Sequence, residues 1–131
     1  MIHTILQPPE WPRPKDYANG IVAARVQMVF TGDVVGWDET AQFSDGIAAQ
    51  AAQAFANIAA ILAEAGARPE HLVWLTWYVT NRAEYLANAV EIGATYRAVF
   101  GKAFPAMTVV EVSALMEAAA VIELEETAVI A

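Results

Sequence analysis

Glu123 and Glu125 stand two residues apart in the apolar run 120–129, and Glu111 stands in a second such run, 108–112. Both runs read as strands. A strand sends alternate side chains to opposite faces, so Glu123 and Glu125 share a face. Ile122 and Leu124 take the other, with Glu126 as a further candidate for it. A carboxylate set among apolar residues is suited to acid–base work, because burial tunes its pKa toward the working pH. The competing reading is a solvated sheet acid, which is the commoner fate of strand carboxylates.

Other chemistries find little support. The chain has no cysteine, hence no thiol chemistry and no disulfide framework. His3 and His71 are far apart and have no ligand-spaced acid, so a metal centre is not expected. His71, after Pro69 and Glu70, reads as a solvated loop residue. No phosphate-cradling glycine loop and no Gly-x-Ser-x-Gly elbow is present. The seven basic residues are scattered and the net charge is −8, which opposes nucleic-acid binding.

The positioning elements follow from periodicity. Residues 1–6 suit a short edge strand. Residues 7–14 carry four prolines around Trp11 and run as an extended arm, with Trp11 pinned against the body. Asn19-Gly20 is a hairpin signal between that arm and strands at 21–24 and 26–31. Residues 32–37 read as a loop. Ile47, Ala51, Ala54, Phe55, Ile58, Ile61 and Leu62 recur at helical spacing, with Ser44 or Asp45 as N-cap and Gly66 as the stop. Residues 72–80 form a strand bulky on both faces, expected to be central and covered on both sides. Thr80-Asn81 caps a helix over 83–100, whose inward stripe is Tyr85, Leu86, Ala89, Ile92, Tyr96 and Val99.

The order β-β-α-β-α-β-β places two helices on one face of a mixed sheet, an α+β sandwich. At 131 residues the chain makes one domain, residues 1–131, with one core. Its hydrophobic content of 57% is high for a small monomer. No apolar run of bilayer-spanning length and no signal peptide is expected. Burial of the uncovered sheet face between subunits of a closed ring accounts for the apolar excess. The absence of cysteine fits a cytoplasmic protein.

The sequence resembles the RidA family, also called YjgF, the reactive intermediate and imine deaminases. The resemblance spans nearly the whole chain. It rests on Tyr17 before Asn19-Gly20, on Phe30-Thr31-Gly32, and on residues 50–66 with Ala54-Phe55-Ala56-Asn57-Ile58. It continues through Val79-Thr80-Asn81, Ala94-Thr95-Tyr96, Phe104-Pro105-Ala106, Val110-Glu111-Val112 and Ile122-Glu123-Leu124-Glu125. It implies a chorismate-mutase-like fold and a homotrimer with small-molecule clefts between subunits. It implies no metal or organic cofactor. The implied activity is hydrolysis of imines or enamines to a carbonyl product and ammonia. Two alternatives remain: a trimeric metabolite-binding or regulatory protein without chemistry, and an endoribonuclease, which the acidic composition disfavours.

Carried over by position, Tyr17 matches the family's cleft aromatic, and Thr31 stands where Ser is frequent, followed by the expected Gly32. Glu123 matches the acid that positions or activates water. Trp11 and Trp37 are candidates to roof the cleft, and Glu111 matches a family position that suits the sheet or subunit interface. The departures are Met107 where the deaminases place a carboxylate-clamping Arg, Gly93 where many have Asn, and Asp33 where many have Gln. A guanidinium fork binds a carboxylate through paired charge-assisted hydrogen bonds, whereas a thioether offers only apolar contact. Unless another basic group such as Arg13 reaches the cleft, the expected ligand is neutral, cationic or more apolar. Met107 and Glu123 are expected to face a single cleft between subunits.

Overall fold

The structure is a computed structural model describing residues 3–22 and 27–130. The expected strand positions at residues 1–2 and 23–26 lie outside those described. The order is β1 (Thr4–Leu6), β2 (Gly20–Val22), β3 (Gln27–Phe30), β4 (Val34–Val35), α1 (Ile47–Glu64), a 3-10 turn (Pro69–His71), β5 (Leu72–Val79), α2 (Arg82–Ala87), α3 (Ala89–Phe100), β6 (Ala106–Glu111) and β7 (Ile122–Ile130). The main sheet runs β3-β7-β5-β6, with β4 added on β7. β5 and β6 are parallel, because the α2–α3 crossover joins them; the pairings with β7 are antiparallel. The mixed α+β sandwich expected from the sequence is therefore the observed fold.

Pairing register fixes the two faces. Leu75 lies opposite Met107 and Glu126, and Trp77 opposite Leu124 and Val109. This set points toward the helices. Leu75, Trp77, Val79, Ile122 and Leu124 are buried there against Phe55, Ile58 and Leu62 of α1 and Ile92, Tyr96 and Phe100 of α3. Phe55 meets Trp77, Tyr96 and Phe100 edge-on at 5.4, 5.4 and 5.5 Å, a geometry that places ring edges on electron-rich faces. The other face carries Trp74, Thr76 and Tyr78 beside Glu123, Glu125 and Thr127. Trp74 is 56% exposed, so β5 is covered on one side only, contrary to the expectation of two covered sides.

Several local expectations are corrected. Helix α1 starts at Gly46, at φ +87° and without a side-chain cap, rather than at a Ser44 or Asp45 cap. The Gln50 amide secures this end, donating to the Ser44 and Ala119 carbonyls at 3.1 and 2.9 Å. Gly36 allows the loop to pass over the helix: a Cβ there would stand 2.3 Å from the Gln50 carbonyl oxygen. At the other end Gly66 does stop α1, at φ +70°, with Ala67 N–H donating to the Leu62 carbonyl. Contrary to expectation, α1 is long and apolar enough to cross a membrane, yet its inward stripe is packed in this core. Ile61, expected as part of that stripe, is exposed.

The helix expected over 83–100 is two helices. Asn88 breaks it, because its side-chain amide also donates to the Glu84 carbonyl, at 2.8 Å. Leu86 and Ala89 are consequently exposed rather than inward. Asn81 caps α2 as expected, its side-chain oxygen accepting from Glu84 N–H at 2.9 Å. Asn81→Ala should cost about 1 kcal/mol in urea unfolding. Residues 34–35, expected as loop, pair with Leu124 and Glu123. Asn19-Gly20 is not a tight hairpin: Gly20 pairs with Leu6 across the proline arm. Trp11 is exposed rather than pinned. His71 is buried at 6% exposure, its Nδ1 accepting from Arg68 N–H at 2.7 Å, so it is not the solvated residue expected.

Candidate functional site

Ala18 N–H donates to the Pro105 carbonyl at 3.1 Å, and Ala18 bridges Ala106 in parallel. This stitch lays Lys15, Asp16 and Tyr17 along the start of β6. Met107 projects to the helix side, as its register partner Leu75 does. Facing it on α3 are Gly93 and Arg97, four residues apart and therefore on one helix face. Between arm, strand and helix lies a cavity of about 340 Å³, lined by Tyr17, Met107, Gly93, Arg97, Lys15 and Trp77 among others. The Trp77 indole N–H is buried and has no protein partner.

A second group lies on the open sheet face. Glu123 sits opposite Tyr78 and Val35. Its carboxyl pKa is raised, first by burial and then by the negative charges of Asp33 and Glu125. Tyr78 donates its hydroxyl to Glu125 at 2.6 Å; that bond, ahead of desolvation and the nearby acids, pushes the Tyr78 pKa up. Phe30, Thr31, Trp74 and Thr76 border a groove of about 280 Å³. The Thr31 hydroxyl is buried without a protein partner, while Thr31 N–H donates to the Glu126 carbonyl at 3.2 Å. Gly32 is exposed, and a Cβ there would meet nothing within 4 Å.

The six positions singled out from the sequence thus fall into two sets. Tyr17, Gly93 and Met107 share the cavity; Thr31 and Gly32 lie in the turn after β3, and Glu123 lies on β7. Within one chain Met107 and Glu123 occupy opposite faces of the sheet, so the expected single cleft is not formed by one copy. The remaining candidates are elsewhere. Trp37 packs against Phe43 at 5.9 Å, and neither it nor Trp11 lines the cavity. Glu111 accepts from Arg82 N–H at 2.7 Å, satisfying an orphan amide at the start of α2. Arg13 is not in the cavity lining; Lys15 and Arg97 are. Arg97 was missed, although its spacing from Gly93 is legible in the sequence. Among the described residues no group of three or more His, Cys, Asp or Glu is placed to hold a metal ion.

The helix-covered mixed sheet, with a cavity beside its parallel edge strand and an acid-bearing open face behind it, defines the α+β class of the chain. The model of the endoribonuclease L-PSP family matches residues 12–130, and the chain belongs to that family, the RidA/YjgF proteins. A Rid-family protein of unknown function from Yersinia pestis superposes with TM-score 0.86 at 27% identity, over 99% of this chain and 100% of that one. The YjgF gene product of E. coli superposes with TM-score 0.68 at 31% identity, over 86% and 87%. RidA from an Antarctic Psychrobacter gives 0.69 at 28%, over 89% and 97%. No curated protein matches the chain. Family membership supports a role as a small-metabolite imine deaminase or a related one.

Proposed function

We propose that the protein hydrolyses a small imine or enamine to a carbonyl compound and ammonia, in a cleft made where the cavity of one copy meets the open face of another. The observation that carries the reading is Glu123, a partly buried carboxyl whose pKa is raised by burial and by Asp33 and Glu125. In its protonated form it gives a proton to the enamine carbon and leaves an iminium ion. As the carboxylate it takes a proton from water as the water oxygen bonds to the iminium carbon. The resulting carbinolamine loses ammonia as its C–N bond breaks, and the hydroxyl becomes the carbonyl. Tyr17 and Met107 border the bound ligand. The test is ammonia release from a panel of imines generated in the cuvette. Binding without release would leave a metabolite-binding protein instead. The net charge of −8 disfavours cleavage of RNA.

The open face supports a homotrimer. Phe30 is 66% exposed, and Trp74 and Val110 lie exposed on the same face. Burial of these side chains between copies removes apolar surface from water and carries Glu123 toward a neighbour's cavity. Light scattering should give three times the 14.1 kDa chain mass at micromolar concentration. A monomer mass there would overturn the shared cleft.

A further inference from the structure

Met107 removes a guanidinium from β6, but the cavity is not without one. Arg97 lines it from α3, and Lys15 lines it from the arm. The Arg97 guanidinium packs beside Gly93. A Cβ at Gly93 would stand 3.3 Å from Arg97 Nη1, with Nη2 at 3.9 Å, so the missing side chain is the space beside which the guanidinium lies. With Met107 on the strand and Gly93 on the helix, the guanidinium that lines this cavity comes from the helix.

The guanidinium is also available. The ion pair found among the described residues is Arg68–Glu70, and neither Arg97 nor Lys15 is engaged by a carboxylate there. Two of the chain's seven basic residues therefore face this one cavity, against a single lining acid, Asp16. Cations are the complement of an anion with several acceptor oxygens.

We propose that Arg97, assisted by Lys15, takes the place of the guanidinium missing at Met107 and holds a carboxylate in this cavity. This reverses the preference for a neutral, cationic or more apolar ligand expected from Met107 alone. It rests on the cavity being the substrate half of the hydrolytic cleft. With the carboxylate on Arg97, the carbon chain runs over the Met107 thioether, which then serves as an apolar wall.

Pyruvate and its neutral near-isostere pyruvamide test the assignment by calorimetric titration of the assembled protein. Pyruvate is expected to bind at least about 10-fold tighter than pyruvamide. Arg97→Gln, at an exposed helix position that leaves the core intact, is expected to weaken pyruvate about 10- to 100-fold and leave pyruvamide unchanged. Arg97→Lys keeps the charge but not the fork and should fall between. Equal binding of the two probes by the wild type, or equal losses in Arg97→Gln, would overturn the assignment. The hydrolase reading fails separately: Arg97-dependent pyruvate binding with no ammonia release from any imine retains this inference and removes that one. Ammonia release only from uncharged imines does the reverse.

Discussion

Glu123→Gln should lower ammonia release by about 10²- to 10⁴-fold, the range carried by a positioned general acid or base. Gln keeps the shape and the strand position but neither gives nor takes the proton. Pyruvate affinity should be nearly unchanged, because its carboxylate is held from the other half-site. A loss confined to the rate distinguishes chemistry from binding. The pH profile carries a second signature. The carboxyl is raised by burial first and by Asp33 second. Asp33→Asn removes one negative neighbour and should move the Glu123 limb of the profile to lower pH. If protonation of the enamine limits the rate, activity falls as pH rises through that pKa; if activation of water limits it, activity rises. A full rate in Glu123→Gln would remove this residue from the mechanism.

The same two strands show what the sequence discloses. Alternation alone separated Glu123 and Glu125 from Ile122 and Leu124, because the period of a strand is a covalent fact. It also put Glu126 on the apolar side, where the structure buries it. What alternation could not disclose was the facing of β6 relative to β7. Thr76 sits opposite Thr108 on one side and Glu125 on the other, and only that register shows Met107 and Glu123 on opposite faces. Register depends on long-range pairing, which no local spacing encodes. The helix break at Asn88 was equally hidden, since one side-chain bond to the Glu84 carbonyl decides it. Arg97 is the instructive miss. Its spacing from Gly93 is local, but that α3 and not the arm's Arg13 supplies the cavity's guanidinium depends on how helix and arm pack on β6.

Glu126→Gln should stabilise the protein at neutral and alkaline pH and flatten its pH dependence. Glu126 is 4% exposed, and neither carboxyl oxygen has a protein partner. Burial pushes its pKa from 4.5 up to about 8. The neighbouring Tyr96 hydroxyl is turned away, donating to the Ala103 carbonyl, and its own pKa is raised by burial and then by Glu126. The sign follows from which state holds the proton. Between pH 4.5 and 8 the folded chain keeps Glu126 protonated while the unfolded chain releases it, so stability falls as pH rises. The slope approaches about 1.4 kcal/mol per pH unit. That amounts to about 3 kcal/mol lost by pH 7, and a further loss of about 1 kcal/mol before the slope ends near the folded pKa. Gln cannot ionise in either state and escapes the loss, while the Glu123 contribution, of the same sign, remains in both proteins. Urea unfolding at one fixed protein concentration, compared between pH 4.5 and pH 8, measures the difference without the concentration dependence of an oligomer. A wild type whose stability is level across that interval, or a variant that declines in parallel with it, would show that Glu126 is not held protonated in the fold.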